Sequence, residues 1–127
     1  TRASAHPGPD HSVVTLLTIK LLLPGCASLK EKRSLLKPLI TQLRREFNIS
    51  VAETGLQDYW QSSWISCVFV SNDGQLNSRM TNEIIEYLEV DFPTWKLTAA
   101  HRKLLNLIDI LESNRLKSSL EIEKQLD

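Results

Sequence analysis

Hydrophobic and polar positions recur along this chain with two different periods, which together predict four strands and two helices. Period-two alternation indicates strands with one buried face, and apolar residues three and four apart indicate amphipathic helices. Pro24-Gly25 ends the first strand, and Pro93 separates the second helix from the last strand. The predicted strands cover residues 13–23, 48–54, 64–71 and about 95–105, and the predicted helices cover residues 28–47 and about 73–88.

The same patterns predict which side chains face the core. On the first strand, Thr18 and Lys20 lie opposite an apolar set formed by Val13, Leu17, Ile19, Leu21 and Leu23. The apolar stripe of the first helix consists of Leu29, Leu36, Ile40, Leu43 and Phe47, and that of the second consists of Leu76, Met80, Ile84 and Leu88. On the last strand, the predicted apolar side holds Trp95, Leu97 and Ala99.

Capping signals locate the helix starts, and one proline interrupts the first helix. Ser28 followed by Glu31 forms a capping box, and Asn72 or Asp73 caps the second helix. Pro38 removes a hydrogen bond inside the first helix at a cost of about 3 kcal/mol. We therefore expect a kink at Pro38, with the helix continuing beyond it.

The order β-α-β-β-α-β predicts an α+β ferredoxin-like sandwich, with a four-stranded antiparallel sheet and both helices on one face. The third strand is apolar on both sides, since Trp64, Val68 and Val70 alternate with Ile65, Cys67 and Phe69. The helices cover one side. We expect the other to be covered by the C-terminal segment or a partner surface, including a second copy of the chain.

Composition bounds the class of protein. The 127 residues carry 15 Lys+Arg and 15 Asp+Glu, with 42% hydrophobic residues, which is the balance of one soluble globular domain. The longest uncharged apolar run, residues 13–19, is too short to span a membrane. We divide the chain into a disordered lead-in (1–12), a domain (13–105) and a C-terminal helix or tail (106–127).

Catalytic and metal-binding motifs are absent from the sequence. We find no phosphate-binding glycine loop, zinc-protease motif or serine-hydrolase motif, and His6 and His11 lack further ligands nearby. We expect a non-enzymatic protein with no cofactor, no metal, no membrane contact and no evident small-molecule substrate. Cys26 and Cys67 indicate reduced thiols, hence a cytoplasmic protein, or one of an organelle stroma or matrix if the missing initial Met reflects presequence removal.

Basic residues are concentrated on the first helix. Residues 28–47 hold six basic and two acidic residues, whereas residues 73–91 hold one basic and five acidic residues. A helix start beside cations suits phosphate, including an RNA backbone, although a solvated face or a small-anion site explains the same pattern. The candidate RNA- or anion-binding residues are Gly25, Ser28, Lys30, Arg33, Lys37 and Arg44.

Lys32 differs from the other cations because it lies toward the apolar stripe of the helix. Glu53 has the same strand parity as Ile49 and Val51, which places it toward the core. A buried or half-buried charge is normally paired. The pattern therefore predicts a structural Lys32–Glu53 ion pair.

The loop sequence QDYWQ combines aromatic, amide and carboxylate side chains. Such a loop stacks on a nucleobase and reads its edge, or else packs Trp60 over the sheet edge while the polar residues bind backbone groups. The candidate specificity residues are Gln57, Asp58, Trp60 and Gln61.

Several motifs in this order resemble the YlxP family of small bacterial proteins. The matching segments are LPGCASLKEKR (23–33), FNISVAE (47–53), QDYWQ (57–61) and VSND (70–73), within a resemblance that covers about residues 14–105. The chain departs from the family pattern at Pro38, at Cys26 and in its longer tail. The resemblance implies a single ferredoxin-like domain of poorly defined function.

The resemblance also directs the functional expectation. Genes of this family tend to lie among translation genes, near those for ribosome-binding factor A and an initiation factor. We expect an accessory factor of translation or ribosome assembly that contacts ribosomal RNA or a ribosomal protein. The alternative is a protein-interaction module that forms a homodimer or binds a partner through the outer sheet face.

Overall fold

The computed structural model describes residues 12–106 and 114–118, and the six elements occur in the predicted order. Most of the predicted lead-in and tail lies outside these described residues, and residues 114–118 form a short helical segment. The strands are β1 (Val13–Leu22), β2 (Ser50–Gly55), β3 (Ser62–Ser71) and β4 (Lys96–Asn106), and the helices are α1 (Leu29–Glu46) and α2 (Gly74–Asp91).

The four strands form one antiparallel sheet in the order β2-β3-β1-β4, which confirms the ferredoxin-like α+β prediction. The long strands β1 and β3 are central, and β2 and β4 are the edges. Both helices lie on one face, because they contribute to the same core as the inward side of the sheet. That core includes Leu17, Ile19, Ile65 and Cys67 from the sheet and Leu39, Leu43, Ile84 and Leu88 from the helices.

The start of α1 has the predicted capping box. Ser28 Oγ accepts a hydrogen bond from Glu31 N at 3.0 Å, and Glu31 Oε2 accepts one from Ala27 N at 2.9 Å. The helix continues through Pro38 to Glu46. Its buried residues are Lys32, Leu36, Leu39 and Leu43, so the core stripe is rotated toward Leu39, which the predicted stripe omitted.

The predicted stripe of α2 is wrong at Leu76, whereas Met80 is partly buried against the core. Leu76 is 40% exposed, whereas Asn77 and Thr81 are buried together with Ile84 and Leu88. Asn77 Nδ2 donates hydrogen bonds to Val13 O at 3.1 Å and Thr15 Oγ1 at 2.9 Å. A buried amide with these partners costs little, so Asn77 occupies the core position that the apolar pattern assigned to Leu76.

A bulge corrects the prediction for β4. The register of β4 on β1 shifts between Lys20 and Leu21, so Leu97 pairs with Leu21 while Ala99 pairs with Lys20. Paired residues in antiparallel strands share a face. Leu97 therefore faces the helices, whereas Ala99 lies on the other side of the sheet, because the extra residue reverses the alternation.

The outer sheet face is the side of the sheet away from the helices. Ile65, Cys67 and Phe69 are buried beneath the helices, whereas Val68 and Val70 are 41% and 64% exposed, which agrees with the predicted two-sided pattern of the third strand. In the register, Val14 pairs with Val70 and Leu16 with Val68. These four residues form an apolar patch at one end of the outer sheet face.

Candidate functional site

Four of the six basic residues of helix α1 are exposed on the side of the helix beside the edge strand β2. Lys30, Arg33, Lys37 and Arg44 are all exposed. Arg33, Lys37 and Arg44 line a groove of about 490 Å³ between α1 and β2, with Leu36, Ile40 and Val51 among its apolar lining residues. Lys30 lies one helical turn before this groove. We call these four cations the α1 basic stripe.

Arg44 also joins the helix to the edge strand. Its guanidinium donates a hydrogen bond to Val51 O at 2.7 Å, and the Gln57 amide donates one to Glu53 O at 3.4 Å. These bonds occupy carbonyl groups of β2, which makes this edge a poor template for adding a strand. A guanidinium carries five N–H donors, so Arg44 retains donors that point elsewhere.

The turn before α1 uses its polar groups internally. Gly25 adopts φ 81°, which glycine accommodates without strain, and no atom lies within 4 Å of the position a Cβ would take. Ser28 Oγ and the Glu31 carboxylate are bonded to the backbone N–H groups of Glu31 and Ala27. The capping carboxylate already complements the positive helix end, which favours the α1 basic stripe over this turn as the place for an external phosphate.

Lys32 and Glu53 form the ion pair expected from the sequence. Lys32 Nζ lies 2.8 Å from Glu53 Oε2, and the two side chains are 1% and 19% exposed. The ammonium also donates to Leu56 O at 2.7 Å, and Ser63 Oγ donates to Glu53 Oε2 at 2.6 Å. The pair therefore connects α1 and β2 to the buried Ser63 of β3 and to the start of the loop after β2.

That loop, residues 56–61, is anchored at both ends. Leu56 has φ 59°, an uncommon conformation for a residue with a side chain, and its carbonyl accepts hydrogen bonds from Lys32 Nζ and Tyr59 N. At the other end, Gln61 O accepts from Leu23 N at 2.8 Å, and Gln61 Nε2 donates to Cys26 O at 3.3 Å. The two predicted glutamines thus hold the loop.

The centre of the loop presents its side chains to solvent. Tyr59 is 63% exposed and Trp60 is 50% exposed, and Asp58 is exposed beside them. Together with Leu22 and Pro24 they line an open cleft of about 730 Å³, which we call the loop cleft. Trp60 therefore keeps half of its side chain open to solvent. The sequence prediction named Trp60 but left out Tyr59.

Trp64 occupies the outer sheet face near the loop cleft. Lys20 Nζ lies 5.8 Å from the centre of its ring, and the His101 ring lies 6.4 Å away at a tilt of 30°. The ring also covers Gly55, because a Cβ there would lie 3.0 Å from Trp64 Cδ1. Sequence reasoning missed Lys20 and His101, because their contacts with Trp64 depend on how the strands pair.

Two titratable side chains outside these surfaces, Cys67 and Tyr87, have raised pKa values. Burial raises the pKa of Cys67 to about 12 from an ordinary value near 9. Burial and the negative charges of Glu46 and Asp91 raise the pKa of Tyr87. Among residues 12–106 and 114–118, no group of three or more His, Cys, Asp or Glu side chains is placed to hold a metal ion. No helix in these ranges is long and apolar enough to cross a membrane.

Comparisons with known proteins agree with the motifs. Residues 14–102 match the model of a family described as "Protein of unknown function (DUF503)". The chain is 33% identical over 66 residues to "Uncharacterized protein YlxP" of Bacillus subtilis (strain 168), covering 52% of this chain and 71% of that protein. Among solved structures, "De novo designed protein Foldit4" aligns with a TM-score of 0.44 and 14% identity, over 75% of this chain and 97% of that one.

Proposed function

Because the chain belongs to the DUF503 family, whose description states no activity, we propose its function from its own geometry: it is a non-enzymatic RNA-binding accessory factor of translation or ribosome assembly. The observation that carries this proposal is the groove between α1 and β2, where Arg33, Lys37 and Arg44 meet with exposed side chains. RNA phosphates would bind there, with Lys30 extending the contact by one turn.

The spacing of the cations supports a polyphosphate partner better than a single small anion. Residues 30, 33, 37 and 44 extend along 14 positions of α1, a distance of about 21 Å at 1.5 Å per residue. A lone anion contacts one part of such a stripe. A nucleic-acid backbone places successive phosphates along it.

The charge distribution predicts selective and salt-sensitive binding. The formal net charge of the whole chain is zero, so the chain as a whole is not attracted strongly to RNA. Four phosphate contacts to single-stranded RNA predict a slope of log affinity against log salt of about −3. Ribosomal RNA is the partner class favoured by the translation-gene neighbourhood that the family resemblance implies.

Charge reversal on the stripe tests this proposal. We would compare the full chain, Arg33→Glu/Lys37→Glu and the matched control Arg45→Glu/Arg79→Glu in fluorescence anisotropy with a labelled single-stranded RNA. Arg45 and Arg79 are exposed and do not line the groove, and their reversal changes the net charge equally. We expect the stripe variant to lose most binding and its salt slope to fall by about 1.4 in magnitude, because two contacts are removed.

The control determines how the result is interpreted. Equal losses in both variants would attribute binding to overall charge and refute a role for the groove. Unchanged binding in the stripe variant would refute it as well. Circular dichroism of all three proteins verifies that the exposed substitutions leave the fold intact.

A homodimer through the outer sheet face is the second candidate function. The observation that favours it is the apolar patch, in which Val68 and Val70 remain 41% and 64% exposed in the single chain. Exposed apolar patches commonly mark protein interfaces. Sedimentation equilibrium of the full chain and of Val68→Lys/Val70→Lys tests it: a dimer that the substitutions dissociate supports the interface, and a monomeric native chain refutes it.

A further inference from the structure

The loop cleft has the chemistry of a site for an unpaired nucleobase, and we propose that it binds guanine within single-stranded RNA. This inference rests on the proposed RNA-binding function and extends it from the backbone to a base. The α1 basic stripe holds phosphates whatever the sequence, whereas the loop cleft would supply the preference for one base.

The loop cleft exposes two aromatic rings on which a base can stack. Tyr59 and Trp60 are both half or more exposed, although rings of this size normally bury most of their surface. Both line the loop cleft, whose apolar lining also includes Leu22 and Pro24. Unstacked bases in single-stranded RNA bind to such rings by stacking on them.

Asp58 provides the selectivity. The amides of Gln57 and Gln61 already donate to the backbone carbonyls of Glu53 and Cys26. The exposed Asp58 side chain also lines the loop cleft, and a carboxylate offers two oxygens that accept hydrogen bonds and no group that donates one. Guanine presents two adjacent donors, N1–H and N2–H₂, on its Watson–Crick edge. Adenine, cytosine and uracil each present a single donor group there, so a two-oxygen acceptor favours guanine.

Lysines near the loop cleft are placed to hold the adjoining phosphates. Lys96 pairs with Leu22 in the strand register, and Lys20 lies two residues before Leu22 on the same face. The described outward-facing positions of the four strands hold Lys20, Lys96, Lys103 and His101 and no acidic residue. The acidic side chain at the loop cleft is Asp58, which reads the base.

The loop is held in place before a base arrives. Lys32 and Tyr59 N bind the carbonyl of Leu56 at one end, and Leu23 N binds the carbonyl of Gln61 at the other. A ligand that enters a prepared site loses less free energy to ordering of the protein. The buried Lys32 ammonium, paired with Glu53, is one of the groups that hold this end of the loop.

The test measures base preference with the full chain. The probes are seven-nucleotide uridine oligonucleotides whose central residue is guanosine, inosine, adenosine, cytidine or uridine, and tryptophan quenching with anisotropy reports binding. We expect guanosine to bind about tenfold more tightly than adenosine or uridine. Inosine, which lacks the N2 amino group, should bind with intermediate affinity.

Matched variants locate the preference. Asp58→Asn should abolish the preference for guanosine and leave the affinity for the all-uridine probe unchanged. Asp91→Asn, at an exposed site on α2, should keep the guanosine preference. Trp60→Ala should weaken every probe about fivefold or more, because stacking does not depend on base identity. An Asp58→Asn variant that keeps the full preference would overturn the proposal.

The remaining outcomes separate this inference from the proposed function. Equal affinity for all five probes, with binding still lost in Arg33→Glu/Lys37→Glu, overturns the guanine site and leaves the phosphate groove in place. Free guanosine monophosphate that binds as tightly as the guanosine oligonucleotide overturns RNA as the source of the base. Guanosine preference that depends on Asp58 but survives Arg33→Glu/Lys37→Glu without loss of affinity supports the base site and refutes the groove.

Discussion

Replacing Lys32 by Met isolates the effect of the buried charge pair. The side chain of Lys32 is 1% exposed and bonded to Glu53 Oε2 and Leu56 O, and Met is unbranched and close to it in size. Removing one member of a buried pair typically costs 3–5 kcal/mol, because the other charge is left uncompensated. Glu53 is 19% exposed and keeps its bond from Ser63 Oγ, so we expect the lower end, about 3 kcal/mol.

The double variant Lys32→Met/Glu53→Gln tests the cause of that loss. Glutamine removes the charge and still offers an oxygen to Ser63 Oγ, and the carbonyl of Leu56 keeps its bond from Tyr59 N. The double variant should therefore regain about 2 kcal/mol over Lys32→Met, because it no longer leaves an uncompensated charge on Glu53. Urea unfolding followed by tryptophan fluorescence measures all four free energies of unfolding in the cycle. Additive losses would refute the reasoning that an unpaired Glu53 causes the instability.

Three further predictions concern other buried contacts. Gly55→Ala should lower the free energy of unfolding by about 1 kcal/mol and shift tryptophan emission, because the new Cβ would lie 3.0 Å from Trp64 Cδ1. Unchanged emission and unchanged stability would contradict this contact. Asn77→Ala should lower the free energy of unfolding by about 2–3 kcal/mol in thermal or urea unfolding, because the buried Thr15 loses its amide partner. The control Asn82→Ala, at an exposed position of α2, should lower it by under about 0.5 kcal/mol. The Cys67 thiol should resist Ellman's reagent at pH 8 until urea unfolds the chain, and rapid labelling of Cys67 in the native protein would contradict its burial. Because folding raises the pKa of Cys67 to about 12, the stability that comes from burying the protonated thiol should be full below about pH 9 and should decline as the pH rises toward 12.

The sequence was most informative where one physical rule dominated. Alternation and helical spacing predicted all six elements, because each element buries one continuous face. The capping box at Ser28 depends on two side chains three residues apart, so it was visible without tertiary structure. The approach of Lys32 and Glu53 followed from two faces that both point inward.

Tertiary partners decided the features that the sequence did not reveal. Asn77 is buried because Val13 and Thr15 accept its amide hydrogens across 62 and more positions of sequence, and no local pattern announces such a bond. The bulge that turns Ala99 outward depends on the register between β1 and β4. The contact of Trp64 with Lys20 depends on the register between β1 and β3, and its contact with His101 depends on the registers of both β3 and β4 against β1.

For the candidate surfaces too, the sequence predicted the residues and the fold determined their arrangement. The stripe of Lys30, Arg33, Lys37 and Arg44 could be read from helical spacing, but its position beside β2, where it forms a groove, required the fold. The loop QDYWQ was recognised as a candidate from composition. Its internal hydrogen bonds then separated the two glutamines, which hold the loop, from the exposed Asp58, Tyr59 and Trp60.

Co-sedimentation with ribosomal subunits tests the central claim most directly. The full chain, Lys30→Glu/Arg33→Glu and the control Arg45→Glu/Arg79→Glu would each be sedimented with isolated subunits at low and moderate salt. We expect the full chain and the control to sediment with a subunit at low salt and to be released as salt rises, while the stripe variant stays in the supernatant. Binding that ignores both salt and the stripe substitutions, or a full chain that never sediments with either subunit, would contradict it.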